Sequence, residues 1–192
     1  LEYLILNFIS AIISINISQT LFTIFFMSTL LLFIYSAYLK KIPLIGNITI
    51  ALLTGLAFIY GGFASGNPVA AIVPAVFAFL INLIREIVKD IQDIEGDTKA
   101  GVITFPIKFG FKKSKILILI ITISLILYTL YPFITELYKI EYFIVVMVFV
   151  NPLLLLSLKF LFDSKKENNL TVVSNMLKLN MVLGLIAIYL GK

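Results

Sequence analysis

The amino-acid sequence predicts an all-α integral membrane protein with seven transmembrane helices. Of its 192 residues, 61% are hydrophobic and only 13% are charged, and the mean hydropathy is +1.11. The apolar residues form continuous runs near the length of roughly 20 residues that a helix needs to cross the hydrocarbon core. Continuous runs favour helices, because a membrane-spanning strand would alternate apolar and polar residues.

The predicted helices follow one another through short connections. The seven apolar runs are residues 3–19, 20–39, 47–64, 70–89, 115–133, 141–162 and 170–190. The first two are separated only by the mildly polar "NISQT", whereas loops such as "KKIPLIG" and "DSKKENN" are clearly polar. Pro152 lies inside the sixth run, where a bend in the helix is expected.

The basic residues predict how the helices are oriented. With seven spans, 12 of the 15 lysines and arginines lie on one side, two lie on the other, and Lys178 lies inside the last span. The side rich in lysine is expected to be cytoplasmic. Residues 90–110 would then face the cytoplasm, on the opposite side from Lys139, in a multi-pass protein of the cell membrane.

The residue types that are missing exclude several kinds of chemistry. The chain has no cysteine and no histidine, which excludes disulfides, the common zinc sites and acid–base catalysis by histidine. The net charge of +5 requires no nucleic-acid partner, since cytoplasmic loops of membrane proteins are rich in lysine. No feature indicates an obligate protein partner, and the expected surroundings are membrane lipids.

The segment "NLIREIVKDIQDIEGDTKAG", residues 82–101, carries five of the ten acidic residues of the chain. If the fourth helix continues through this segment, its aspartates repeat at i, i+3 and i+7 and share one face, with Glu95 elsewhere. Gly96 is where the helix is expected to loosen or end. The residues on the shared face are Asn82, Glu86, Lys89, Asp90, Asp93 and Asp97.

Aspartates that share a face at the edge of a bilayer require compensation, because they repel one another and lose hydration. Mg²⁺ provides it naturally, since it takes oxygen ligands, often one or two carboxylates together with substrate phosphates. Carboxylates, a metal ion and nearby basic side chains suit a diphosphate whose tail lies in the bilayer. The alternative is a solvated loop whose charges have no role, although most such loops do not place three aspartates on one helical face.

At these residues the sequence resembles the UbiA-type intramembrane prenyltransferases. The string "REIVKDIQDIEGDTKAGVITFPIKFG", residues 85–110, is similar to the second aspartate-rich motif of the archaeal digeranylgeranylglyceryl phosphate synthases in that family. A second string, "YSAYLKKIPLIGNITIALLTGLAFIYGG", residues 35–62, also resembles the family. The remaining spans match only in hydropathy.

The resemblance implies a single transmembrane prenyltransferase domain over residues 1–192, within a nine-helix bundle whose central cavity opens to the cytoplasm. The family places six helices before this motif, whereas four apolar runs precede it here. Two more helices and a first motif of the form Asn-Asp-x-x-Asp are therefore expected ahead of Leu1, so that the domain would be incomplete at its N-terminus.

The resemblance also implies roles for individual residues. Asp90, Asp93 and Asp97 would be the catalytic carboxylates that hold Mg²⁺ on the diphosphate. The expected substrate-binding residues are Lys40, Asn47, Tyr60, Asn82, Arg85 and Lys89. Helix packing explains Asn47 equally well, and a tyrosine such as Tyr60 is equally typical of a surface in contact with lipid.

The implied function is Mg²⁺-dependent transfer of a geranylgeranyl group in archaeal ether-lipid synthesis. The partners would be geranylgeranyl diphosphate, a prenyl diphosphate, and geranylgeranylglyceryl phosphate, a lipid-phosphate acceptor. Within the family, an aromatic quinone precursor is the alternative acceptor. Outside it, a seven-span cation transporter is the alternative, although transport sites usually lie near the midplane. A CDP-alcohol phosphatidyltransferase is disfavoured, because "KDIQDIEGD" lacks the Asp-Gly and Ala-Arg of that motif.

Overall fold

The computed structural model describes residues 2–163 and 167–192, and the described residues contain α-helices and no strand. Lys165 and Lys166, counted above among the basic residues, lie outside the described residues. The helices are α1 (Glu2–Ile17), α2 (Gln19–Ala37), α3 (Ile45–Ala64), α4 (Ile72–Gln92), α5 (Ile94–Lys99), α6 (Phe105–Phe109), α7 (Phe111–Ile134), α8 (Ile140–Val145), α9 (Asn151–Asp163) and α10 (Glu167–Leu190).

Six segments of the described chain are long and apolar enough to cross a membrane. They are Gln19–Ala37, Ile45–Ala64, Val69–Gln92, Phe111–Ile134, Ile140–Asp163 and Asn169–Leu190. The protein is therefore a multi-pass helical membrane protein, as predicted.

The expected seventh span, residues 3–19, is not among these six segments. Its helix, α1, has only 16 residues, which is about 24 Å at 1.5 Å per residue and short of the roughly 30 Å of hydrocarbon. The break after α1 occurs at Ser18, whose hydroxyl accepts a hydrogen bond from the backbone N–H of Thr20 at 3.1 Å. The mildly polar "NISQT" is thus a true helix boundary, because a serine side chain caps the start of α2.

The core of the bundle is built around α4, which packs against α3, α7 and α10. Ile84, Ile87 and Val88 on this helix are at most 1% exposed. By contrast, α1 and α2 leave large apolar side chains such as Phe8 and Phe33 uncovered. In a bilayer such side chains contact lipid, so the outer helices need no further burial.

Small residues bring α3 and α4 close together. A Cβ atom at Gly55 would lie 2.9 Å from the carbonyl oxygen of Ala75, and one at Gly62 would lie 2.5 Å from the Cβ of Ala71. Further along α4, Asn82 donates a hydrogen bond to the hydroxyl of Thr54 on α3 at 3.0 Å. Close backbones and a polar pair fix the relative position of the two antiparallel helices.

The span Ile140–Asp163 contains a π-helical segment, Val146–Val150, immediately before Asn151 and Pro152. The irregularity lies next to Pro152 because proline lacks the N–H that a regular helix donates to the preceding turn. Asn180 of α10 donates to the carbonyl of Val150 at 3.1 Å and so satisfies a backbone group at this junction.

Asp93 and Lys139 lie at opposite ends of the bundle, as the distribution of basic residues predicts. The 21 residues of α4 extend over about 30 Å. Val69, just before α4, shares a surface pocket with Tyr138, whereas Asp93 follows the far end of the helix.

We expect Gly62→Ala to lower the stability of the protein by about 1–3 kcal/mol, because the added methyl group would overlap Ala71 across the helix contact. The adjacent Gly61→Ala is the matched control. A Cβ at Gly61 meets no atom within 4 Å, so this change should be neutral or stabilise the helix by up to about 1 kcal/mol. Thermal unfolding of both variants in the same detergent measures the difference, and equal midpoints would contradict the proposed close contact.

Candidate active site

A polar pocket of about 100 Å³ lies at the end of α4, between the ends of α2 and α4, the start of α3, α5 and residues 102–104. We call it the aspartate pocket, because Asp90, Asp93 and Asp97 all line it. The structure therefore brings the three predicted carboxylates together at one end of a transmembrane helix. Glu95 is exposed and does not line the pocket, as expected from its position in the motif.

The prediction that one continuous helix carries the three aspartates is wrong. The helix α4 ends at Gln92, Asp93 has φ −97° and ψ 10°, and α5 begins at Ile94. The break comes at Asp93 and not at Gly96, which lies inside α5. Aspartate favours helix ends because its short side chain competes for backbone hydrogen bonds.

Asn47 at the start of α3 holds the carboxylate of Asp90. Its side-chain Nδ2 donates to Oδ2 of Asp90 at 2.9 Å, and Asn47 is itself buried. The bond leaves the second carboxylate oxygen of Asp90 without a protein partner among the described hydrogen bonds. Asp90 is thus oriented by the protein and still has an oxygen available for a ligand.

The charges in the aspartate pocket do not balance. Four carboxylates, those of Glu86, Asp90, Asp93 and Asp97, line the pocket together with the ammonium groups of Lys40 and Lys89, and the guanidinium of Arg85 pairs with Glu86, which leaves a formal charge of −1.

The imbalance is visible at Asp97. Burial and the neighbouring Asp93 carboxylate raise the pKa of the Asp97 carboxyl above its ordinary value, against the opposing influence of Lys40 and Lys89. An added cation would relieve this repulsion.

The donor set of the pocket fits a hard divalent cation such as Mg²⁺. All its acidic ligands are carboxylate oxygens, the type that Mg²⁺ prefers. Within the described chain, no three carboxylates lie close enough together to hold one metal ion by themselves. A bound ion would therefore take one or two carboxylates and complete its shell with water or with oxygens of a substrate, which is the usual pattern for Mg²⁺ on phosphates.

The predicted basic and polar residues divide into two groups. Lys40, Asn47 and Lys89 line the aspartate pocket. Arg85, Asn82 and Tyr60 do not line it, because their polar groups have other partners. Arg85 pairs with Glu86 at 3.1 Å and lies 3.4 Å from Oδ1 of Asn82, which in turn donates to Thr54. The Tyr60 hydroxyl lies 2.9 Å from that of Ser14.

Tyr60 is distant from the aspartate pocket as well as bonded elsewhere. It follows Asn47 by 13 positions on α3, a separation of about 20 Å along the helix. Arg85, by contrast, lies close to the pocket and acts on it indirectly, since its partner Glu86 is one of the lining carboxylates.

Sequence reasoning missed Tyr35, Glu86 and Thr104 as residues of the pocket. Glu86 was recognisable, because it shares the predicted face with Asp90 and Asp93. Tyr35 and Thr104 reach the pocket only because the ends of two other segments fold against α4. Their positions in the two strings that resemble the family were the one available signal.

A second cavity, of about 220 Å³, lies deeper along the same two helices and is almost wholly apolar. Thr54 and Phe58 of α3, Phe77 and Ile81 of α4, and Leu185 of α10 line it. The hydrogen-bonded Asn82–Thr54 pair lies at the end of this cavity nearer the aspartate pocket, where Thr54 is part of the cavity wall. A molecule with an anionic head, held through a divalent cation, and a hydrocarbon tail would find matching surroundings for both parts along α3 and α4.

Comparison with known proteins gives a consistent result. Residues 3–182 match the sequence pattern of the family described as the UbiA prenyltransferase family. Proteins named digeranylgeranylglyceryl phosphate synthase are similar over most of the chain. The one from Methanosphaera stadtmanae is 31% identical over 188 residues, 98% of this chain and 69% of its own length. Those from Methanobrevibacter smithii and Methanocaldococcus jannaschii are 38% and 36% identical over 88% and 84% of this chain.

A solved structure agrees with the sequence comparison. It is described as "Structural and mechanistic insights into the biosynthesis of Digeranylgeranylglyceryl phosphate synthase in membranes" and superposes with a TM-score of 0.85 at 32% sequence identity. The match covers 97% of this chain and 66% of the other. The chain also spans only 60% and 56% of the length of the M. smithii and M. jannaschii relatives.

We expect Asn47→Asp to destabilise the protein by about 1–3 kcal/mol near neutral pH, because a carboxylate replaces the group that donates to Asp90. Two adjacent carboxylates repel only when both are ionised, so the loss should shrink as the pH falls from about 8 to about 5. Thermal unfolding at both pH values tests this. The control is Asn67→Asp, the same change at an exposed loop position whose side-chain oxygen accepts from the N–H of Ala70 and would still do so as a carboxylate. A loss of stability at Asn47→Asp that is the same at both pH values would argue against the repulsion.

Proposed function

The chain belongs to the UbiA prenyltransferase family, and we propose that the protein transfers a geranylgeranyl group from geranylgeranyl diphosphate to geranylgeranylglyceryl phosphate. The observation that carries this proposal is that a carboxylate-rich pocket and an apolar cavity share the helices α3 and α4. These are the surroundings required by the head and the tail of a prenyl diphosphate. The names of the relatives support the geranylgeranyl group and the lipid-phosphate acceptor.

In the proposed reaction, the bond between C1 of the prenyl group and the diphosphate oxygen breaks, and the electron pair leaves with the diphosphate. The hydroxyl oxygen of the acceptor forms the new bond to C1 and loses its proton. Asp90, Asp93 and Asp97 are proposed to hold the diphosphate through Mg²⁺, with Asn47 orienting Asp90. The metal ion supplies positive charge that stabilises the leaving diphosphate.

Lys40 and Lys89 are the basic residues proposed to contact phosphate oxygens directly, since both line the pocket. Arg85 is proposed to position Glu86 through their 3.1 Å ion pair. Asn82 is proposed to hold α4 against α3 rather than to touch the diphosphate. Tyr60, if it contacts substrate, would do so at the far end of an isoprenoid tail.

The apolar walls have a separate task in this mechanism. The allylic cation that forms at C1 reacts with water unless water is excluded. Phe58 and Phe77 line the cavity, and aromatic faces attract cations while they exclude solvent. In this proposal the aspartate pocket binds the diphosphate, and the apolar cavity shields the prenyl group.

The pocket is proposed to face the cytoplasm in a cell membrane. It lies at the end of the bundle with Lys40, Lys89 and Lys99, and basic residues mark the cytoplasmic ends of transmembrane helices. The nine-helix bundle and its central cytoplasm-facing cavity stay predictions of the family resemblance, and the seventh span stays a prediction from hydropathy.

An aromatic quinone precursor is the second candidate acceptor, since the metal chemistry would be the same. No residue of the aspartate pocket distinguishes the two acceptors, and the names of the relatives favour the lipid phosphate. A cation transporter is disfavoured, because the carboxylates lie at the end of Val69–Gln92 and transport sites lie near the midplane.

We expect Asp93→Asn to reduce prenyl transfer by about 100-fold or more, because the loss of a metal ligand removes several kcal/mol of transition-state stabilisation. Glu95→Gln, two residues away but outside the pocket, should retain near-normal activity. The assay measures product from geranylgeranyl diphosphate with geranylgeranylglyceryl phosphate or an aromatic acceptor, with Mg²⁺ and after chelation. Equal losses in the two variants, or full activity without a divalent cation, would refute the proposed site.

Lys40 and Lys41 offer a test of the phosphate contact at adjacent positions. Lys40 lines the pocket and Lys41 does not. Lys40→Ala should raise the KM for the prenyl diphosphate by about ten-fold, the value of one charge-assisted hydrogen bond. Lys41→Ala should leave KM nearly unchanged, and a similar rise in both variants would indicate a general effect of surface charge.

A further inference from the structure

Thr104 is the one residue of the aspartate pocket whose hydrogen-bonding group is buried and unused among the described residues. Its side chain is 8% exposed, and its Oγ1 has no hydrogen-bond partner in the part of the chain that the structure describes. It lines the same pocket as Asp90, Asp93 and Asp97. A buried hydroxyl without a partner destabilises a protein, so such a group calls for an explanation.

The local backbone does not provide the missing partner. Thr104 immediately precedes α6, with φ −82° and ψ 169°, the extended conformation of a residue that caps a helix. Its side chain nevertheless makes no capping hydrogen bond. One of the two usual donors is absent, because Pro106 has no N–H.

Other buried threonines show how the hydroxyl is ordinarily satisfied. Thr49 and Thr122 each donate to the carbonyl one helical turn earlier, at 2.8 Å. Thr104 has no preceding helical turn to use, because residues 102–104 are not helical. The hydroxyl therefore remains free to bond a molecule that enters the pocket.

The chemistry of the pocket limits what that molecule can offer. The pocket carboxylates accept hydrogen bonds, yet none is paired with Oγ1 of Thr104. An anionic ligand held there through cations would bring oxygen acceptors into the pocket. The hydroxyl of threonine can donate to such an oxygen.

We propose that Thr104 binds substrate by donating its hydroxyl hydrogen to a phosphate oxygen in the aspartate pocket. This inference rests on the proposed function, because it requires that the pocket hold a phosphorylated substrate. Two substrates carry such an oxygen, the prenyl diphosphate and the lipid-phosphate acceptor. Thr104 would then join the carboxylates and Lys40 as a contact residue, from the segment that precedes α6.

The test replaces the hydroxyl with a methyl group of the same shape. Thr104→Val should weaken binding of geranylgeranyl diphosphate with Mg²⁺, or of geranylgeranylglyceryl phosphate, by about ten-fold. Thr104→Ser should restore binding to within about two-fold of the original protein, because it retains the donor. Titration calorimetry on the purified full chain in detergent measures each ligand separately, and the ligand whose affinity falls identifies the source of the phosphate.

Unfolding without ligand separates a binding role from a structural one. Thr104→Val removes an unpartnered buried hydroxyl, so its midpoint should equal or exceed that of the original protein while the shift caused by ligand becomes smaller. Thr122→Val is the matched control: it removes a satisfied buried hydroxyl on α7. That variant should lose some stability and bind both ligands normally.

The outcomes distinguish this inference from the proposed function. If the original protein binds the ligands and Thr104→Val binds both equally well, Thr104 has no role in binding. If the original protein binds neither ligand, the proposed function fails, and the role of Thr104 fails with it. If Thr104→Val does not fold, Thr104→Ala replaces it, with the same comparison to Thr104→Ser.

Discussion

The organisation of the site depends on one electrostatic constraint, which is that carboxylates gathered at the end of an apolar helix must be compensated. Asn47 satisfies one oxygen of Asp90 at 2.9 Å, and Lys40 and Lys89 supply two positive charges to a pocket that holds four carboxylates. The Arg85 guanidinium offsets Glu86, and the protein still leaves a formal charge of −1 in this group. In the proposed function a divalent cation offsets this charge, and the deficit would then couple metal binding to the binding of an anionic substrate.

The close contact between α3 and α4 makes this arrangement possible. Glycines at positions 55 and 62 let the two backbones approach, and the Thr54–Asn82 hydrogen bond fixes one helix against the other at 3.0 Å. That pairing carries Asn47 to a place opposite Asp90. Residues outside the aspartate pocket thus determine its geometry, since in a bilayer helices associate through packing and interhelical hydrogen bonds rather than through hydrophobic burial.

Hydropathy and residue spacing predicted the membrane class, six of the seven expected spans and the shared position of the three aspartates, because each of these is encoded locally. The break at Asp93 escaped prediction, since a periodic pattern continues through a single residue that departs from helical geometry. Tyr35 and Thr104 escaped it for another reason: they enter the pocket through tertiary folding of other segments. The separation of Tyr60 from the pocket follows from simple helical rise and could have been predicted from its distance to Asn47.

The order of polar and apolar surfaces along α3 and α4 bears on how water is kept from the reaction. The aspartate pocket is open at the edge of the bundle, and Asp93 is exposed, so the carboxylates cannot themselves exclude solvent. Any shielding of a reactive prenyl chain must come from the apolar side, where Phe58 and Phe77 line the deeper cavity. In the proposed reaction, head recognition and solvent exclusion would therefore fall to different residues of the same two helices. The Asn82–Thr54 pair at their boundary satisfies its own hydrogen bonds, and so adds no polar group that would draw water toward the tail.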